Sequence, residues 1–539
     1  MKHSFRPAAA ARGCGAAVSL VALLLVTLTA CSSGGDSNSA AGAAEQDPTD
    51  VCTVDRVDPD STLTVSTKVA TTSLDPVTAL GALYGAEETS VLYDTLTRYD
   101  SETGLYVPYL AEDVTANGDS TEWTVKLRPG VTFGNGDPMT SADVVYSMDR
   151  MRSDKATTPT KSFLAPISAV RAVDDLTVVY TLSRPWAGFP WVLSDLGGMV
   201  VNRNVVDATG AGFATNPAGA GVGPYEFVRF APSEEVVMKA KPDYWGGPIC
   251  IGTLRFVSVP GSQATLEAFE KGDIDVATVS VDPTVSKELS ELPDTVTLHY
   301  LRSGAGVGMN ERQGRILGDP ALREAVVAAL DPDAVNQRVF GGNGTMARTL
   351  TVPEMNIWGG VDGPEYDLDK AKDLVAQAKA NGMTEPVNFV VADTADPELV
   401  LVIEALLKNA GFDVKTETLA LGAYLPRLNS GDFDIVINNT AIGEDAPLRM
   451  VWAYDSRSPI NRWGLASPTV DAALDSLYLA KGPQETAASV ATLQEYWNEF
   501  APTSPLWVED WTKAFSTDVR GLRQGPEGRL SYEGAYIAR

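Results

Sequence analysis

This chain has almost no histidine, with two in 539 residues. His3 lies in an N-terminal stretch that we expect to be removed, which leaves His299 for the mature protein. A Ser-His-Asp triad or a Cys-His dyad would have to use the imidazole of His299. The surrounding stretch TLHYL is typical of a strand, which favours a structural role for this histidine. The G-x-S-x-G, H-E-x-x-H, C-x-x-C and P-loop patterns are missing too. We therefore expect no enzyme, no metal site and no cofactor, although the many carboxylates leave an acid pair for glycoside hydrolysis open by composition.

Positive charge is also scarce. Lys and Arg number 42 against 70 Asp and Glu, and the formal net charge is −28 at pH 7. Such a field repels nucleic acid, and no basic run offsets it. With 44% hydrophobic and 21% charged residues, the chain otherwise has the composition of a globular protein. Its length predicts two or three domains rather than one simple core.

Long hydrophobic runs are limited to the N-terminus. A basic segment precedes the apolar stretch Val18–Thr29, which is too short for a stable transmembrane helix and predicts a signal peptide over residues 1–30. The sequence Leu28-Thr29-Ala30-Cys31 resembles the bacterial lipobox, in which the cysteine becomes the acylated first residue. An ordinary secretory signal cut near Ala30 is the alternative. A diacylglycerol on Cys31 would hold the protein on the outer face of the cell membrane, outside the cytoplasm.

Cysteine is the next scarce residue type, with four in the chain. Cys14 leaves with the signal peptide and Cys31 would be acylated. Cys52 and Cys250 then remain as an even pair in an oxidising compartment, which predicts a disulfide bond. Two unpaired buried thiols are the alternative.

Helix and strand signals alternate through both halves of the chain. After a flexible tether at residues 31–55, the first half gives a strand at 62–67, a helix at 85–96 and a strand at 122–127. Helix caps are expected at Thr140 (with Asp143 in capping-box spacing), Ser262, Asp319 and Asp367. The second half has the clearest α/β run, with strands at 387–392, 412–418 and 434–438 and a helix at 397–410. Ligands bind beyond the carboxyl ends of parallel strands, so the acidic loop predicted at 439–445 is a candidate cleft wall.

The stretch Thr295–Asn310, TVTLHYLRSGAGVGMN, lies between the two halves. It predicts a strand followed by a glycine-rich break at Gly304, Gly306 and Gly308. We interpret it as the first crossing of a hinge, with the segment at 504–508 as the second. Two tryptophans in predicted loops, Trp358 and Trp463, are candidates for the ligand wall, although tryptophan is more often a core residue.

Several segments together resemble family 5 extracellular solute-binding proteins, the oligopeptide and dipeptide receptors of ABC importers. The longest is Leu127–Ser147, LRPGVTFGNGDPMTSADVVYS. Others follow in the family's order: Thr72–Pro76, Gly221–Tyr225, Asp243–Gly247, Gly272–Val276, Met309-Asn310, Leu322–Val326, Tyr366-Asp367 and Lys370-Ala371. The resemblance covers roughly residues 60–530.

The resemblance implies an α/β fold with two lobes of the periplasmic-binding-protein type and a ligand cleft between them. Lobe I would comprise residues 56–93, 218–298 and 507–539, with residues 94–217 as an inserted subdomain. Lobe II would comprise residues 299–506. We expect a monomer that delivers its ligand to permease subunits and, through them, to a cytoplasmic ATPase.

The resemblance also implies a set of ligand-binding residues. In peptide receptors of this family, two backbone segments pair with an extended ligand, and an acidic residue after the second holds the ligand's amino terminus. The family's Trp-x-x-Asp-like run is replaced here by NTAIGED, so the tryptophan is missing and the acid is displaced. The expected ligand-binding residues are Thr71, Thr72, Ser73, Met309, Asn310, Trp358, Asn439, Thr440, Ala441, Glu444, Asp445 and Trp463.

Three functions follow from the sequence. The first is a lipid-anchored solute receptor for an ABC importer that prefers peptides, with sugars, opines and other amphipathic solutes open. The second is a lipoprotein that keeps this fold but regulates envelope assembly through protein contacts. The third, a secreted hydrolase, is disfavoured by the missing nucleophile motifs.

Overall fold

The computed structural model describes residues 50–79, 87–443, 447–458, 460–525 and 528–538, without the side chains of 303, 305 and 438–442. The predicted signal peptide, Cys31, Glu444 and Asp445 lie outside these residues. No helix in the described part is long and apolar enough to cross a membrane.

The structure is mixed α/β. Its strands are β1 (Asp58–Thr67), β2 (Thr97–Asp100), β3 (Leu105–Pro108), β4 (Ala111–Ala116), β5 (Glu122–Leu127), β6 (Ile167–Asp174), β7 (Thr177–Leu182), β8 (Tyr225–Ala231), β9 (Glu235–Ala240), β10 (Ile251–Ser258), β11 (Val276–Ser280), β12 (Thr295–Met309), β13 (Val387–Ala392), β14 (Val414–Leu419), β15 (Ile435–Gly443), β16 (Thr503–Pro505), β17 (Val508–Ser516), β18 (Val519–Arg520), β19 (Arg523–Gln524), β20 (Leu530–Ser531) and β21 (Tyr536–Ile537).

The helices alternate with these strands in both lobes. They are α1 (Glu87–Tyr93), α2 (Ser141–Arg152), α3 (Arg203–Thr209), α4 (Ser262–Glu270), α5 (Pro283–Glu291), α6 (Pro320–Ala329), α7 (Pro332–Phe340), α8 (Leu368–Ala380), α9 (Pro397–Asn409), α10 (Leu421–Ser430), α11 (Arg449–Tyr454), α12 (Pro468–Leu479) and α13 (Pro483–Phe500).

One eleven-stranded sheet runs through both lobes. Its order is β14-β13-β15-β12-β17-β11-β1-β10-β9-β8, and β16 pairs with β12 beside β17. In lobe I, β1 lies parallel to both β10 and β11. The long antiparallel pair of β12 and β17, from Thr295↔Ser516 to Ser303↔Val508, connects the two halves. These two strands therefore form the crossing between the lobes.

A second sheet lies within residues 111–182. Its order is β4-β5-β7-β6, and all three pairings are antiparallel. Helix α2 packs on this sheet, and its start is fixed by the capping box that the sequence predicts between Thr140 and Asp143.

The other predicted caps have different outcomes. Asp319 and Asp367 each accept a backbone N–H at the start of α6 and α8, as predicted. The predicted cap at Ser262 is wrong, because Gly261 occupies the N-cap position of α4 and provides no side-chain hydrogen bond. Helix α1 also ends earlier than predicted, since Asp94 adopts a φ of 50° that stops the helix.

The predicted glycine break between the halves is wrong. Strand β12 extends from Thr295 to Met309, with one register shift against β15 between Ser303 and Ala305. A Cβ atom on Gly304 would lie 2.2 Å from the backbone oxygen of Trp507, and one on Gly306 would lie 2.1 Å from that of Ser504. Gly304 and Gly306 therefore allow β12 to approach the returning chain closely.

The predicted disulfide is confirmed. Cys52 and Cys250 are bonded, with their Cα atoms 5.6 Å apart and a sequence separation of 198 positions. The bond joins the segment before β1 to the residue before β10, its partner strand. In the chain-entropy model, a loop of this length contributes about 5 kcal/mol of stability by restricting the unfolded chain.

Candidate functional site

A cluster of cationic and aromatic side chains covers one face of the crossing strands. Tyr300, Arg302, Glu509 and Trp511 share this face, because Tyr300 pairs with Trp511 and Arg302 pairs with Glu509. The Arg302 guanidinium lies 3.4 Å from the Glu509 carboxylate, and both side chains are about 5% exposed. The indole of Trp511 is also buried. Burial of this ion pair in the crossing fixes its position relative to both lobes.

Lys68, the first residue after β1, covers this cluster from lobe I. Its ammonium lies 4.2 Å from the centroid of the Trp511 ring, and the Arg302 guanidinium lies 5.0 Å from the same ring. Lys68 forms no ion pair with any described residue. The loss of hydration lowers the pKa of Lys68 to about 8, although the negative charge of Glu509 partly opposes this shift. A ligand carboxylate would supply the countercharge that Lys68 lacks.

The loop Thr71–Ser73 continues from Lys68. Thr71 is half-buried, and its hydroxyl donates to the Glu88 carboxylate. The Ser73 hydroxyl lies 2.6 Å from that of Thr78, while Thr72 is exposed. The loop is therefore held by its own side chains at both ends and presents Thr72 to solvent.

Two adjacent glutamates at the start of α1 support this loop. Desolvation raises the pKa of Glu88 to about 7, and the bond from Thr71 opposes the shift. Glu87 is also buried and accepts hydrogen bonds from Lys513 and from the Tyr532 hydroxyl. The two carboxylates thus have different roles, since Glu87 has a cationic partner and Glu88 contacts the candidate loop.

Strand β15 brings the second predicted segment to the same place. It pairs antiparallel with β12 up to Arg302↔Gly443. Residues 439–443 therefore belong to strand β15. The prediction of a loop at 439–445 is wrong over these residues. Because Arg302, which pairs with Gly443, and Lys68 both lie over Trp511, the ends of β15 and β1 lie on the same side of the crossing strands.

Strand β15 also has an unpaired edge. Its other neighbour, β13, pairs with it only at Phe389↔Ile435 and Val390↔Val436. Over residues 437–443, no strand in the described part of the chain occupies that edge. An extended chain could form main-chain hydrogen bonds there.

Three predicted ligand-binding residues lie instead in the protein interior. Met309 and Asn310 are 0% exposed and Trp463 is 3% exposed. The Asn310 amide donates to the backbone oxygens of Gly431 and Phe433, at 2.8 and 2.9 Å, and so fixes the end of β12. These residues contact protein rather than a cleft in this structure.

The burial of Trp463 has a local cause. A Cβ atom on Gly308 would lie 2.2 Å from the Trp463 ring, so the absence of a side chain on β12 leaves room for the indole. Its place in a loop therefore does not make it accessible. Trp358 is half-buried beyond the turn at Met355, and no contact in the described part links it to Lys68 or Thr71.

Sequence reasoning missed Lys68, Arg302, Glu88 and Trp511. The signal for Lys68 was available, because it follows the carboxyl end of a parallel strand, where ligands bind in α/β sheets. Arg302, Glu509 and Trp511 alternate along two strands, but the pairing of those strands joins segments about 200 residues apart.

Residues 184–187, in the segment predicted to be an inserted subdomain, contact helix α12, in the segment predicted to be lobe II. Arg184 forms an ion pair with Asp475 on α12, and its guanidinium lies 3.9 Å from the centroid of the Tyr478 ring. The backbone N–H of Ala187 donates to the backbone oxygen of Tyr478 at 2.6 Å, and the ring centroids of Trp186 and Tyr478 are 5.2 Å apart. The structure therefore represents an arrangement in which the two parts are in contact.

Comparison with known proteins gives one consistent picture. A family model described as "Bacterial extracellular solute-binding proteins, family 5 Middle" matches residues 106–462. A probable D,D-dipeptide-binding periplasmic protein of Escherichia coli is 27% identical over 438 residues, covering 77% of this chain and 82% of that protein.

Solved structures show the same fold. A Helicobacter pylori periplasmic binding protein in complex with the peptide STSA has a TM-score of 0.73 at 22% identity, over 89% of this chain and 98% of that one. A Brucella suis protein in complex with Fe(III)-EDTA has a TM-score of 0.75 at 21% identity, over 89% of this chain and 100% of that one. This two-lobe fold therefore holds ligands of more than one chemical class.

Proposed function

This chain belongs to the family 5 bacterial extracellular solute-binding proteins, which capture a solute outside the cytoplasm and deliver it to a transporter, and we propose that its solute is a peptide. The peptide is enclosed by closure of the two lobes and passed to the permease of an ABC importer. A dipeptide-binding relative and a peptide-bound structural neighbour support this choice.

The unpaired edge of β15 over residues 437–443 is the observation that carries the proposal. Asn439, Thr440 and Ala441 offer main-chain groups there, and Thr71–Ser73 offer more from lobe I. Main-chain pairing binds a peptide in extended form without strong dependence on its side chains. A receptor built this way accepts many sequences of suitable length.

The ammonium end of the peptide needs a negatively charged partner on the protein, and its carboxylate end needs a positively charged one. Asp445 or Glu444, directly after β15, is the proposed partner of the peptide's ammonium group. Lys68 is the proposed partner of a carboxylate, since its ammonium lies beside Trp511 without an ion pair in the described part of the chain. These assignments orient the peptide between the end of β15 and the end of β1.

Calorimetric titration with one tetrapeptide in four forms tests this proposal. The forms are free, N-acetylated, C-amidated and blocked at both ends. We expect the free form to bind the wild type most tightly, with about a tenfold loss for each blocked end, because each blocked end removes one charge-assisted contact. Failure of every form of a peptide panel to bind would overturn the peptide assignment.

Matched variants separate the two ends. Asp445→Asn should remove the preference for the free amine and keep the preference for the free carboxylate, and Lys68→Met should do the reverse. Glu444→Gln distinguishes the two candidate acids, and Asp413→Asn, on the exposed surface of lobe II, is the control. Equal losses for free and N-acetylated peptide in Asp445→Asn would show that Asp445 is not the amine partner.

We further propose that Cys31 carries a diacylglycerol that keeps the receptor beside its permease. The predicted lipobox supports this anchor, and the acyl chains provide stable attachment to the membrane. The intact mass of the protein extracted from the cell envelope should include the lipid on residue 31. Recovery of an unmodified, freely secreted protein would contradict the anchor.

A further inference from the structure

Helix α10 exposes an apolar stripe. Leu421 and Leu425 are 49% and 42% exposed, and they share one side of the helix because they are four residues apart. The exposed residues Gly422 and Pro426 continue this side, and the first six residues of α10 carry no charge. Single exposed leucines need no explanation, but a continuous apolar stripe marks a contact surface. We call Leu421, Gly422, Leu425 and Pro426 the α10 stripe.

The α10 stripe begins at the edge of the sheet where the peptide is proposed to bind. Strands β13, β14 and β15 are parallel, so their carboxyl ends meet at one edge. Ala392, the last residue of β13, pairs with Leu419, and α10 begins two residues after Leu419. Val390 pairs with Val436, so Ala392 is level with position 438 of β15. The start of α10 is therefore level with the beginning of the unpaired edge of β15.

Contacts on both sides of α10 show which way the stripe faces. Asn429 lies on the same side as Leu425, four residues further, and its side-chain oxygen accepts a hydrogen bond from Arg462 at 3.2 Å. The tryptophan after Arg462 packs against β12, the strand next to β15. Arg427, on the opposite side of the helix, forms an ion pair with Glu417 of β14 at 3.4 Å. The α10 stripe therefore faces β15 and β12, and it faces away from β14.

A peptide strand on the edge of β15 would bring a side chain to this stripe. Neighbouring strands lie about 4.8 Å apart, so a strand paired with residues 439–443 follows the line of β13 beyond Ala392. Its side chains alternate between the two faces of the sheet. Helix α10 packs on one of these faces, with Leu428 buried against the sheet. Every second side chain of the bound peptide therefore points to the face on which the exposed leucines lie.

Two other occupants of the α10 stripe are disfavoured by charge and area. An anionic lipid surface would be repelled by a protein with a formal net charge of −28. A second copy of this chain carries the same charge, and a stable dimer needs roughly 800 Å² from each partner, which four residues do not provide. One peptide side chain, by contrast, can be covered by two leucines.

We propose that the α10 stripe is a side-chain subsite, which gives this receptor a preference for peptides with a large apolar residue at one position. The proposal rests on the peptide function proposed above. Main-chain pairing on β15 does not depend on side chains, so the subsite adds one preference to a receptor that otherwise accepts many sequences. Leucine, methionine and phenylalanine fit it best, because they bury the most apolar area against Leu421 and Leu425.

Calorimetric titration with a leucine scan tests the proposal. The probes are alanine peptides of four and six residues, and the same peptides with a single leucine at each position in turn. We expect one position at which leucine strengthens binding about tenfold, because burial of its side chain adds apolar contact. Equal affinities throughout the scan would overturn the subsite and leave the peptide function intact, whereas failure of every peptide to bind would overturn the peptide function itself.

Matched variants locate the subsite. Leu421→Ser and Leu425→Ser should each reduce the gain from leucine to about threefold, because each removes part of the apolar wall, while the alanine peptides keep their affinity. Leu401→Ser is the control, since Leu401 is 54% exposed on a different helix, α9, and should leave the gain unchanged. An unchanged gain in both stripe variants would overturn the proposal. If those variants also lost peptide uptake by cells, the stripe would be a contact for the permease instead.

Discussion

At the scale of single residues, Glu88 connects protonation to the candidate loop. It is buried beside Glu87 and accepts the Thr71 hydroxyl, and desolvation raises its pKa to about 7. Because the folded state holds this proton more strongly than the unfolded chain, stability decreases as the pH rises from the ordinary glutamate pKa to the raised one. Above neutral pH, the folded protein must keep a buried charge at Glu88.

Glu88→Gln should remove this cost while keeping an acceptor for Thr71. We expect the free energy of unfolding of the wild type to fall by roughly 3 kcal/mol more than that of the variant between pH 4.5 and 8. Denaturant titrations across this pH range measure the difference.

Glu385→Gln, at an exposed position, is the matched control and should follow the wild type. Parallel pH profiles for Glu88→Gln and the wild type would mean that Glu88 is not protonated in the folded protein near neutral pH.

Residue type alone did not separate ligand-facing side chains from core side chains. Asn310 was recognised from a motif, but its amide is used within lobe II. Trp463 lies in a predicted loop, yet Gly308 makes room for its ring in the protein interior. Lys68 carries no motif, and only its position after the first strand marks it in the sequence. In each case, whether the side chain faces the cleft or the core is decided by a contact with a residue distant in sequence.

At the scale of elements, the local pattern predicted several units well. Strands β5 and β13 have the predicted bounds, and the capping box of α2 is formed as predicted. These features depend on alternation and capping within a few residues. The continuity of β12 and the extension of β15 to Gly443 depend on strand pairing across the whole chain, which no local window contains.

Gly306→Ala tests the role of the glycines in β12. The new methyl group would meet the backbone of Ser504 in β16, and backbone atoms cannot move aside without separating the two strands. We expect a loss of about 2 kcal/mol in the free energy of unfolding, measured by denaturant titration.

Gly422→Ala is a suitable comparison, since that position in α10 has no atom within 4 Å of the added Cβ. It should be neutral or stabilise the protein by about 0.5–1 kcal/mol through helix propensity. A fully tolerated Gly306→Ala would restore the interpretation of this stretch as a flexible break.

At the scale of the whole molecule, we expect ligand binding to depend on the contact between residues 184–187 and helix α12. Arg184 provides both an ion pair to Asp475 and a cation–π contact with Tyr478. Arg184→Gln removes the charge and should shift the ligand-free protein towards an open arrangement. We expect a larger radius of gyration by small-angle X-ray scattering and a three- to tenfold weaker affinity for ligand.

Arg171→Gln is the control for this effect, since Arg171 pairs with Glu122 inside the subdomain sheet. It should leave both the radius of gyration and the affinity unchanged. If Arg184→Gln behaves in the same way, the contact on α12 does not contribute to closure.

The two-lobe class, the disulfide and the family could be predicted from the sequence, because each leaves a signature in motifs or in residue counts. The ligand could not, since this fold holds both a peptide and a metal chelate in its structural neighbours. We expect ligand choice to depend on a few contacts in the cleft, and the displaced acid after β15 is our candidate for one of them.

Native mass spectrometry of the mature receptor purified from its own cell envelope tests the central claim most directly. We predict a ladder of bound species whose masses and fragments identify them as peptides of several lengths and sequences, lost when the protein is unfolded. A single bound sugar or opine, or an empty cleft that no peptide panel fills, would contradict the assignment of this chain as a peptide receptor.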